Sequence, residues 1–450
     1  MRYPEFDYTF SFGPIQSQKA RVTQINHLLN DKVENFAIDI QDSSLWLNGF
    51  SPNSSISADL LDLAVAIHAV DRLVDRPIDR SLSFRLELQV RNFDVFARSD
   101  IGCRLTQVLK WYTDDDWHFE FSKRTDVGRE VEIQYGLSLE EAFQHKAEVA
   151  LWSSGLDSLA GLYTRLKSDP ESHYILVGTG SNSHVHTKQI ELAKNVEHLF
   201  PKRTLLRQIP YGWTNTPTSR KNFYARSRGL VFMLIGAACA HYAGRDSLFI
   251  YENGIGAINL PYSKSQGRLD QAKSVHPLSL LYVSELVSAI LTSSFEIINP
   301  YWLCTKAQMV QSLNDLDGIK LIKLSSSCDR VHRLEDGITQ CGICTSCLLR
   351  RQSITAAGID DPTVYDDLCI SKNGDHLCAM TYQVNTLRRL LNQHNPWPGL
   401  SLEYHDLDKI VDCLSRNDIE ESTLLKKQII QLYSKYVDEW KVFEEYEKTI

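Results

Sequence analysis

The pattern of apolar and polar positions divides the chain into three parts that predict different structures. In the first part, residues 1–145, apolar residues recur at helical spacing over 60–74. Segments 82–90 and 117–121 alternate apolar and polar residues with a period of two, which marks strands with one wet face. Strands of this kind are typical of antiparallel sheets, so we predict a small α+β unit here.

The second part, residues 146–355, has strands that are almost entirely apolar. These predicted strands are 149–152, 174–177, 248–251 and 296–298. Helical patterns lie between or beside them at 159–166, 189–199, 230–243 and 278–291. Buried strands that alternate with helices predict an α/β fold with a parallel sheet covered on both faces.

The third part, residues 356–450, is predicted to be mostly helical. Its charged tail carries an apolar stripe made of Leu425, Ile429, Leu432, Tyr436 and Trp440. A stripe at this spacing predicts a helix that packs into the core. Binding of a partner protein is the alternative.

Composition and charge narrow the function classes. The 450 residues are 43% hydrophobic and 23% charged, and 48 basic against 56 acidic residues give a net charge of −8. This balance does not favour direct nucleic-acid binding. No segment approaches the ~20 apolar residues that a membrane-spanning helix needs, and acidic residues stand where a secretion signal has its apolar core. We therefore expect a cytoplasmic protein without a membrane partner.

A polar stretch follows the first strand of the predicted parallel sheet and leads into a helix. It consists of Ser153, Ser154, Gly155, Leu156, Asp157 and Ser158. Ligands of open α/β sheets bind beyond the carboxyl ends of strands, where the free N–H groups of a helix start and nearby hydroxyls suit phosphate. Gly155 lets the backbone approach an anion, and Asp157 is placed to hold Mg²⁺ or to cap the helix. An N-cap without a ligand is the alternative.

Four of the ten cysteines lie within twenty residues of one another. They are Cys328, Cys341, Cys344 and Cys347. In a reducing compartment this spacing predicts a metal site, and four thiolates match the tetrahedral preference of a structural Zn²⁺. An iron–sulfur cluster is the alternative. His332 lies in the long spacer between Cys328 and Cys341. It is the alternative to Cys328 as a metal ligand, although we expect it at the surface.

We call the polar stretch 153–158 the phosphate loop. This loop and the cysteine motif, in this order within one α/β domain, resemble the QueC family of 7-cyano-7-deazaguanine (preQ0) synthases. The loop is similar to the Ser-Gly-Gly-x-Asp-Ser loop of the ATP pyrophosphatases (PP-loop proteins), with Ser154 where the family has glycine. The cysteine motif continues as in the family through Cys347-Leu348-Leu349-Arg350-Arg351. The resemblance covers residues 146–355 and implies the PP-loop fold, ATP and Mg²⁺.

The resemblance also implies roles for residues between the two motifs. Arg226 and Arg228 occupy the place of the family's Arg-Asn-x-x-Phe-Leu helix start, Glu252 and Asn253 follow a strand, and Lys306 begins a later helix. The residues implied for catalysis are Asp157, Arg228 and Lys306. Those implied for substrate binding are Arg226, Glu252 and Asn253.

The implied reaction is ATP-dependent adenylation of 7-carboxy-7-deazaguanine, after which an amine displaces AMP. The chain is longer than QueC, and in this it is similar to the extended anti-phage defence type found in Qat and CBASS loci. That type implies a partner protein from the same operon as an amine acceptor, with ammonia as the alternative. Two other functions remain open: a different PP-loop reaction, such as tRNA thiolation or amidation, and a non-catalytic ATP-binding scaffold.

Overall fold

The computed structural model describes residues 6–14, 22–29, 32–45, 54–77, 80–125, 143, 147–213, 225–262, 272–330, 338–366 and 374–448. The strands in these ranges are β1 Tyr8–Pro14, β2 Val22–Leu29, β3 Lys32–Ile40, β4 Ser83–Val90, β5 Asp116–Lys123, β6 Glu148–Leu151, β7 Tyr174–Gly180, β8 Thr204–Trp213, β9 Ser247–Phe249 and β10 Glu296–Ile298. They form one mixed sheet in the order β10-β9-β6-β7-β8-β3-β2-β1-β4-β5.

The helices of the described ranges cover both faces of the parallel strands and make up most of the C-terminal part. They are α1 Ser54–Leu73, α2 Phe93–Phe96, α3 Ser99–Thr113, α4 Leu156–Ser168, α5 Ser183–Leu199, α6 Arg228–Tyr242, α7 Gly254–Ile258, α8 Pro277–Leu291, α9 Lys306–Val310, α10 Leu316–Leu324, α11 Thr345–Ala356, α12 Asp375–Leu391, α13 Pro396–Glu403, α14 Asp406–Leu414 and α15 Ile419–Glu447.

Strands β6 to β10 form the parallel half of the sheet. Strand β6 lies between β7 and β9, and every pairing among the five strands is parallel. All seven residues of β7 are buried, because α4, α5, α9, α10 and α11 pack on one face and α6 and α8 on the other. The predicted α/β fold with a parallel sheet between helices is confirmed.

Strand β8 is the one strand of this half that the apolar pattern did not identify. Most of its residues are half-buried, and Arg207, Gln208 and Pro210 interrupt its apolar run. Its first seven residues pair with β7, and its last three pair with β3 in the antiparallel direction. Strand β8 therefore joins the N-terminal strands to the parallel strands in one sheet.

The N-terminal strands do not form the purely antiparallel sheet that their alternation predicts. Strands β1, β2 and β3 pair antiparallel, but β4 pairs parallel with both β1 and β5. The expectation for segments 82–90 and 117–121 is thus wrong in strand direction. The cause is the connection between β4 and β5, which contains α2 and α3. This helical crossover brings the chain back to the edge of the sheet at which β4 begins, so β5 runs in the same direction as β4. The alternation itself is confirmed, since every second residue of β4 is buried.

The C-terminal part is helical, as predicted. The stripe on α15 faces inward: Ile429, Leu432, Tyr436 and Trp440 are buried in the main core, and Leu425 packs at its margin. The expectation of core packing for this helix is confirmed. Within the described ranges, no helix is long and apolar enough to cross a membrane.

Candidate active site and four-cysteine cluster

The phosphate loop lies between the carboxyl end of β6 and the first turn of α4. Ser154 adopts a φ of +63°, which lies in the left-handed region that glycine adopts more readily than other residues. Its hydroxyl donates to the carbonyl oxygen of Ser153, so a local hydrogen bond accompanies this conformation. Gly155 is extended and stands at the N-cap of α4, which leaves the N–H groups of the first helical turn directed out of the helix start.

The serine hydroxyls hold the loop in shape. Ser153 Oγ accepts from the Gly155 N–H at 3.1 Å and lies 3.0 Å from Ser158 Oγ. Ser158 Oγ in turn donates to the Gly155 carbonyl at 3.0 Å. The three residues form a closed turn at the edge of the sheet where ligands of parallel sheets bind.

Asp157 is the centre of a buried polar group formed by residues from three separate segments. One carboxylate oxygen accepts from Asn253 Nδ2 at 3.0 Å, and the other forms an ion pair with Lys306 Nζ. Asn253 Nδ2 also donates to Glu252 Oε1 at 2.8 Å. The structure therefore brings together Asp157, Glu252, Asn253 and Lys306, four of the residues that the sequence analysis selected.

Glu252 has a pKa that is raised to about 8. Burial is the main cause, and the negative charge of Asp157 adds to it, whereas Lys306 and hydrogen bonds from Asn253 act in the opposite direction. Asn299 holds the Glu252 backbone, because its Nδ2 donates to the Glu252 carbonyl at 2.8 Å. The site thus contains one carboxylate paired with a cation and one carboxyl group that favours its neutral form.

Lys306 stands on the first turn of α9, and a capping box holds this end of the helix. Thr305 Oγ1 accepts from the Gln308 N–H at 3.2 Å, and the Gln308 side chain accepts from the Thr305 N–H at 2.9 Å. The Thr305 hydroxyl also donates to Glu439 Oε1 of α15 at 2.6 Å. The C-terminal helix therefore fixes the helix start that carries the candidate lysine.

The two arginines lie at the start of α6. Arg226 Nη1 donates to the Thr113 carbonyl at 3.1 Å, at the end of α3 in the N-terminal part. Arg228 is exposed, and its guanidinium lies 6.0 Å from the centre of the Phe232 ring on its own helix. In the described part of the chain, no contact joins Arg228 to the Asp157 group.

The four cysteines form one buried cluster. Their sulfur atoms all lie within 4.8 Å of one another, and Cys341 Sγ is 3.8 Å from Cys347 Sγ. Gly342 has a φ of +74°, which allows the tight turn between the first two ligands of the motif. A tetrahedral ion with metal–sulfur bonds of ~2.3 Å separates its sulfurs by ~3.8 Å, so this donor set fits a single metal ion. His332 lies outside the described residues.

The cysteine cluster and the phosphate loop share the segment 325–328. Ser326 N donates to the Ser154 carbonyl at 2.9 Å, and the Leu156 N–H donates to Ser327 Oγ at 3.2 Å. The fully buried Arg350, one turn beyond Cys347, donates to Ser325 Oγ at 2.9 Å. Hydrogen bonds therefore connect the segment that carries Cys328 directly to the loop.

Comparison with known proteins finds a match over the part of the chain that carries these residues. Residues 147–358 match a family model described as queuosine biosynthesis protein QueC. This stretch is similar to the QueC family, and we refer to residues 147–358 as the QueC family domain because of this match. The chain is similar to 7-cyano-7-deazaguanine synthase of Pseudomonas fluorescens (strain Pf0-1), with 30% identity over 145 residues, which are 32% of this chain and 56% of that protein. For the synthase of Cellvibrio japonicus (strain Ueda107), the identity is 29% over 145 residues, which are 32% of this chain and 58% of that protein. The chain thus spans little more than half the length of the curated relatives it matches.

Several residues that support the QueC family domain were missed by sequence reasoning. Asn299 and Thr305 contact Glu252 and Glu439 across the fold, and such partners are set by long-range packing. Ser327 stands beside Cys328, but its contact with the loop depends on a turn that spacing does not reveal. Thr113 and Glu439 both lie outside residues 147–358, so the flanking parts of the chain contact the domain close to its candidate residues.

Proposed function

We propose that this protein is an ATP-dependent, QueC-like enzyme that adenylates the carboxylate of 7-carboxy-7-deazaguanine and joins the acyl group to an amine. The observation that carries the proposal is the buried group of Asp157, Asn253, Glu252 and Lys306 beside the phosphate loop, within a QueC family domain. A cation, an amide and two carboxyl groups, one of which has a raised pKa, converge where a nucleotide would lie.

The loop residues bind and orient ATP. The N–H groups that follow Leu156 in the first turn of α4 bind the phosphates, and the hydroxyls of Ser153 and Ser158 keep the loop in the shape that presents them. Lys306 stabilises the negative charge that develops when pyrophosphate leaves. Each Asp157 oxygen has one protein partner and keeps a lone pair for a cation, so this carboxylate suits Mg²⁺. When bound, Mg²⁺ supplies further positive charge to the phosphates.

The chemistry proceeds in two steps that balance without a protein nucleophile. A carboxylate oxygen of the substrate attacks the α-phosphorus of ATP, and pyrophosphate leaves. The amine then attacks the acyl carbon, loses a proton, and AMP leaves with the former carboxylate oxygen. With ammonia the product is an amide. A nitrile forms when the amide oxygen attacks the α-phosphorus of a second ATP, pyrophosphate leaves, and AMP then leaves with that oxygen as the nitrogen loses its two protons.

The cysteine cluster is proposed to hold one structural Zn²⁺. Four buried thiolates within bonding reach of one centre leave no open coordination position for catalysis. Metal analysis of the purified protein is expected to give about one zinc per chain, without iron or sulfide. Iron with acid-labile sulfide would instead support an iron–sulfur cluster and a thiolation reaction.

We further propose that the acceptor amine belongs to a partner protein of a bacterial anti-phage defence system. The support is the chain outside the QueC family domain, which lies on both sides of residues 147–358 and offers surface for docking. Products of neighbouring genes, incubated with the enzyme, ATP and 7-carboxy-7-deazaguanine, are expected to gain the mass of the acyl group. Unmodified partners together with free preQ0 would instead indicate ammonia as the acceptor.

The adenylation itself is tested by release of pyrophosphate from ATP in the presence of 7-carboxy-7-deazaguanine. We expect release by the unchanged protein and a loss of about a hundredfold or more for Asp157→Asn, because the ion pair with Lys306 is removed. Asp438→Asn is the matched control, since that aspartate forms an exposed pair with Lys441 on α15. ATP binding without any release would support a non-catalytic scaffold, and release only with tRNA would support another PP-loop reaction.

A further inference from the structure

The start of α6 is held by the N-terminal part of the chain. Asp71 of α1 is fully buried, and one of its carboxylate oxygens accepts from the Ser227 N–H at 2.7 Å and from the Ser227 hydroxyl at 2.6 Å. Ser227 is the N-cap residue of α6 and the neighbour of Arg228. One carboxylate therefore satisfies both donors of the residue that precedes the candidate arginine, and such charge-assisted hydrogen bonds are strong when buried.

Asp71 itself is fixed by a second layer of ion pairs. Arg76 Nη1 lies 2.6 Å from Asp71, and Arg76 Nε lies 2.7 Å from Asp115. Asp115 also accepts from the Leu82 N–H at 3.0 Å. The carboxylate that holds Ser227 is thus oriented by a buried network of ion pairs and hydrogen bonds. This network connects α1 with the segments that precede β4 and follow α3.

Two neighbours of Ser227, Arg226 and Gly229, also contact other parts of the chain. Arg226 donates to the Thr113 carbonyl, and a Cβ atom on Gly229 would lie 2.4 Å from the Cα atom of Ser274. The backbone at Ser274 therefore passes directly against the helix and leaves no room for a side chain. In the sequence 226–229, Arg228 is the residue that remains exposed.

The exposed arginine lies at the same edge of the sheet as the phosphate loop. Helix α6 ends at Tyr242, and β9 begins shortly afterwards at Ser247, so the end of α6 lies at the amino edge of the parallel strands. Its start, at the other end of this 15-residue helix, lies at the opposite, carboxyl edge, where the loop after β6 also lies. A guanidinium held there is suited to bind a carboxylate.

We propose that Asp71 is a positioning residue for substrate binding. It fixes the start of α6, so that Arg228 is held where it binds the carboxylate of the acid substrate. The proposal rests on the proposed function and adds a residue outside the QueC family domain to its site. Asp71 makes no contact with substrate in this role. It acts through Ser227 and the backbone of the helix start.

The test separates binding of the acid from binding of ATP. In pyrophosphate-release assays, Asp71→Asn is expected to raise the KM for 7-carboxy-7-deazaguanine by about tenfold and to leave the KM for ATP within about twofold. Ser227→Ala removes one of the two hydrogen bonds and is expected to raise the same KM by about threefold. Asp62→Asn is the matched control, because Asp62 is a buried aspartate of α1 that pairs with Arg91.

A double-mutant cycle with Arg228→Gln distinguishes positioning from general destabilisation. If Asp71 acts through Arg228, the Asp71→Asn/Arg228→Gln protein has the same KM for the acid as Arg228→Gln alone. Independent, multiplying effects would contradict the proposal, as would an unchanged KM in Asp71→Asn and Ser227→Ala. An unchanged protein that releases no pyrophosphate would contradict the proposed function instead. If Asp71→Asn does not fold, the cycle with Ser227→Ala decides.

Discussion

Ser154, which stands where the PP-loop pattern has glycine, adopts a left-handed backbone conformation that glycine favours. Its φ of +63° lies in the left-handed region, which costs a residue with a Cβ atom about 1–2 kcal/mol. A small side chain with a local acceptor tolerates this region better than a branched one. The serine is therefore compatible with a functional loop, and the strain is offset by the hydrogen bond to Ser153 and by the contact with Ser326.

Substitutions at Ser154 test this interpretation. Ser154→Gly is expected to keep pyrophosphate release within about threefold, because glycine adopts the same φ without strain. Ser154→Val is expected to lower the free energy of unfolding by about 1–3 kcal/mol and to abolish release, because its branched Cβ is incompatible with this backbone. Chemical denaturation and the release assay measure both effects. A valine variant as stable and active as the glycine variant would refute the assigned conformation.

A second residue-scale prediction concerns His276, the N-cap of α8. Its Nδ1 accepts from the Leu278 N–H, and burial lowers its pKa to about 3, with Lys273 and Lys409 adding to the effect. Because the unfolded state takes up a proton near pH 6.5 and the folded state does not, stability falls as the pH decreases. Between pH 8 and pH 5 this loss amounts to about 2 kcal/mol.

His276→Asn removes the titration and keeps a capping side chain. We expect the variant to lose less stability than the unchanged protein between pH 8 and pH 5, as measured by denaturant unfolding. Parallel pH profiles for the two proteins would show that His276 is not buried in its neutral form.

At the element scale, the sequence predicts strands best where both faces are buried. Strand β7 is buried throughout, and its first four residues were predicted, whereas β8 carries Arg207 and Gln208 and was missed. Alternation identified β4 and β5, but strand direction depends on the crossover through α3 and is not encoded in the strands themselves. The same holds for the site: the spacing of the cysteines predicts their cluster, while the partners Asp71 and Asn299 depend on the folded topology.

The contact between α9 and α15 gives an element-scale prediction. Thr305→Val removes the hydroxyl that caps α9 and donates to Glu439, so the start of the helix that carries Lys306 loses both supports. We expect a decrease of about 1 kcal/mol in the free energy of unfolding and a decrease of about threefold to tenfold in pyrophosphate release. Thr305→Ser, which keeps the hydroxyl, is the control. Normal release by a destabilised valine variant would show that this cap does not position Lys306.

At the scale of the whole molecule, the N-terminal part and the QueC family domain share one sheet and one core. Strand β3 pairs with β8, and the buried residues of α1 and α6 belong to the same hydrophobic cluster. Twelve of the fifteen residues of α6 are buried, so this helix is apolar on every side. The N-terminal part therefore covers a surface that the domain cannot leave exposed to water.

This packing predicts that residues 146–450 do not fold alone. Without residues 1–145 the fragment exposes one face of α6 and the outer edge of β8, and both features promote aggregation. We expect the fragment to be insoluble or to elute as an aggregate in size-exclusion chromatography under conditions where the full chain is soluble. A monodisperse fragment would show that the shared core contributes little to stability.

The most direct test of the proposed function identifies the nucleotide product. ATP labelled at the α-phosphate is incubated with the protein and 7-carboxy-7-deazaguanine, and the labelled products are separated. Cleavage between the α- and β-phosphates is expected to yield pyrophosphate and an equal amount of label in the acyl-adenylate or in the AMP released from it, only when the acid is present. Labelled ADP, or intact ATP at every acid concentration, would contradict the proposal that the loop after β6 binds ATP for an adenylation reaction.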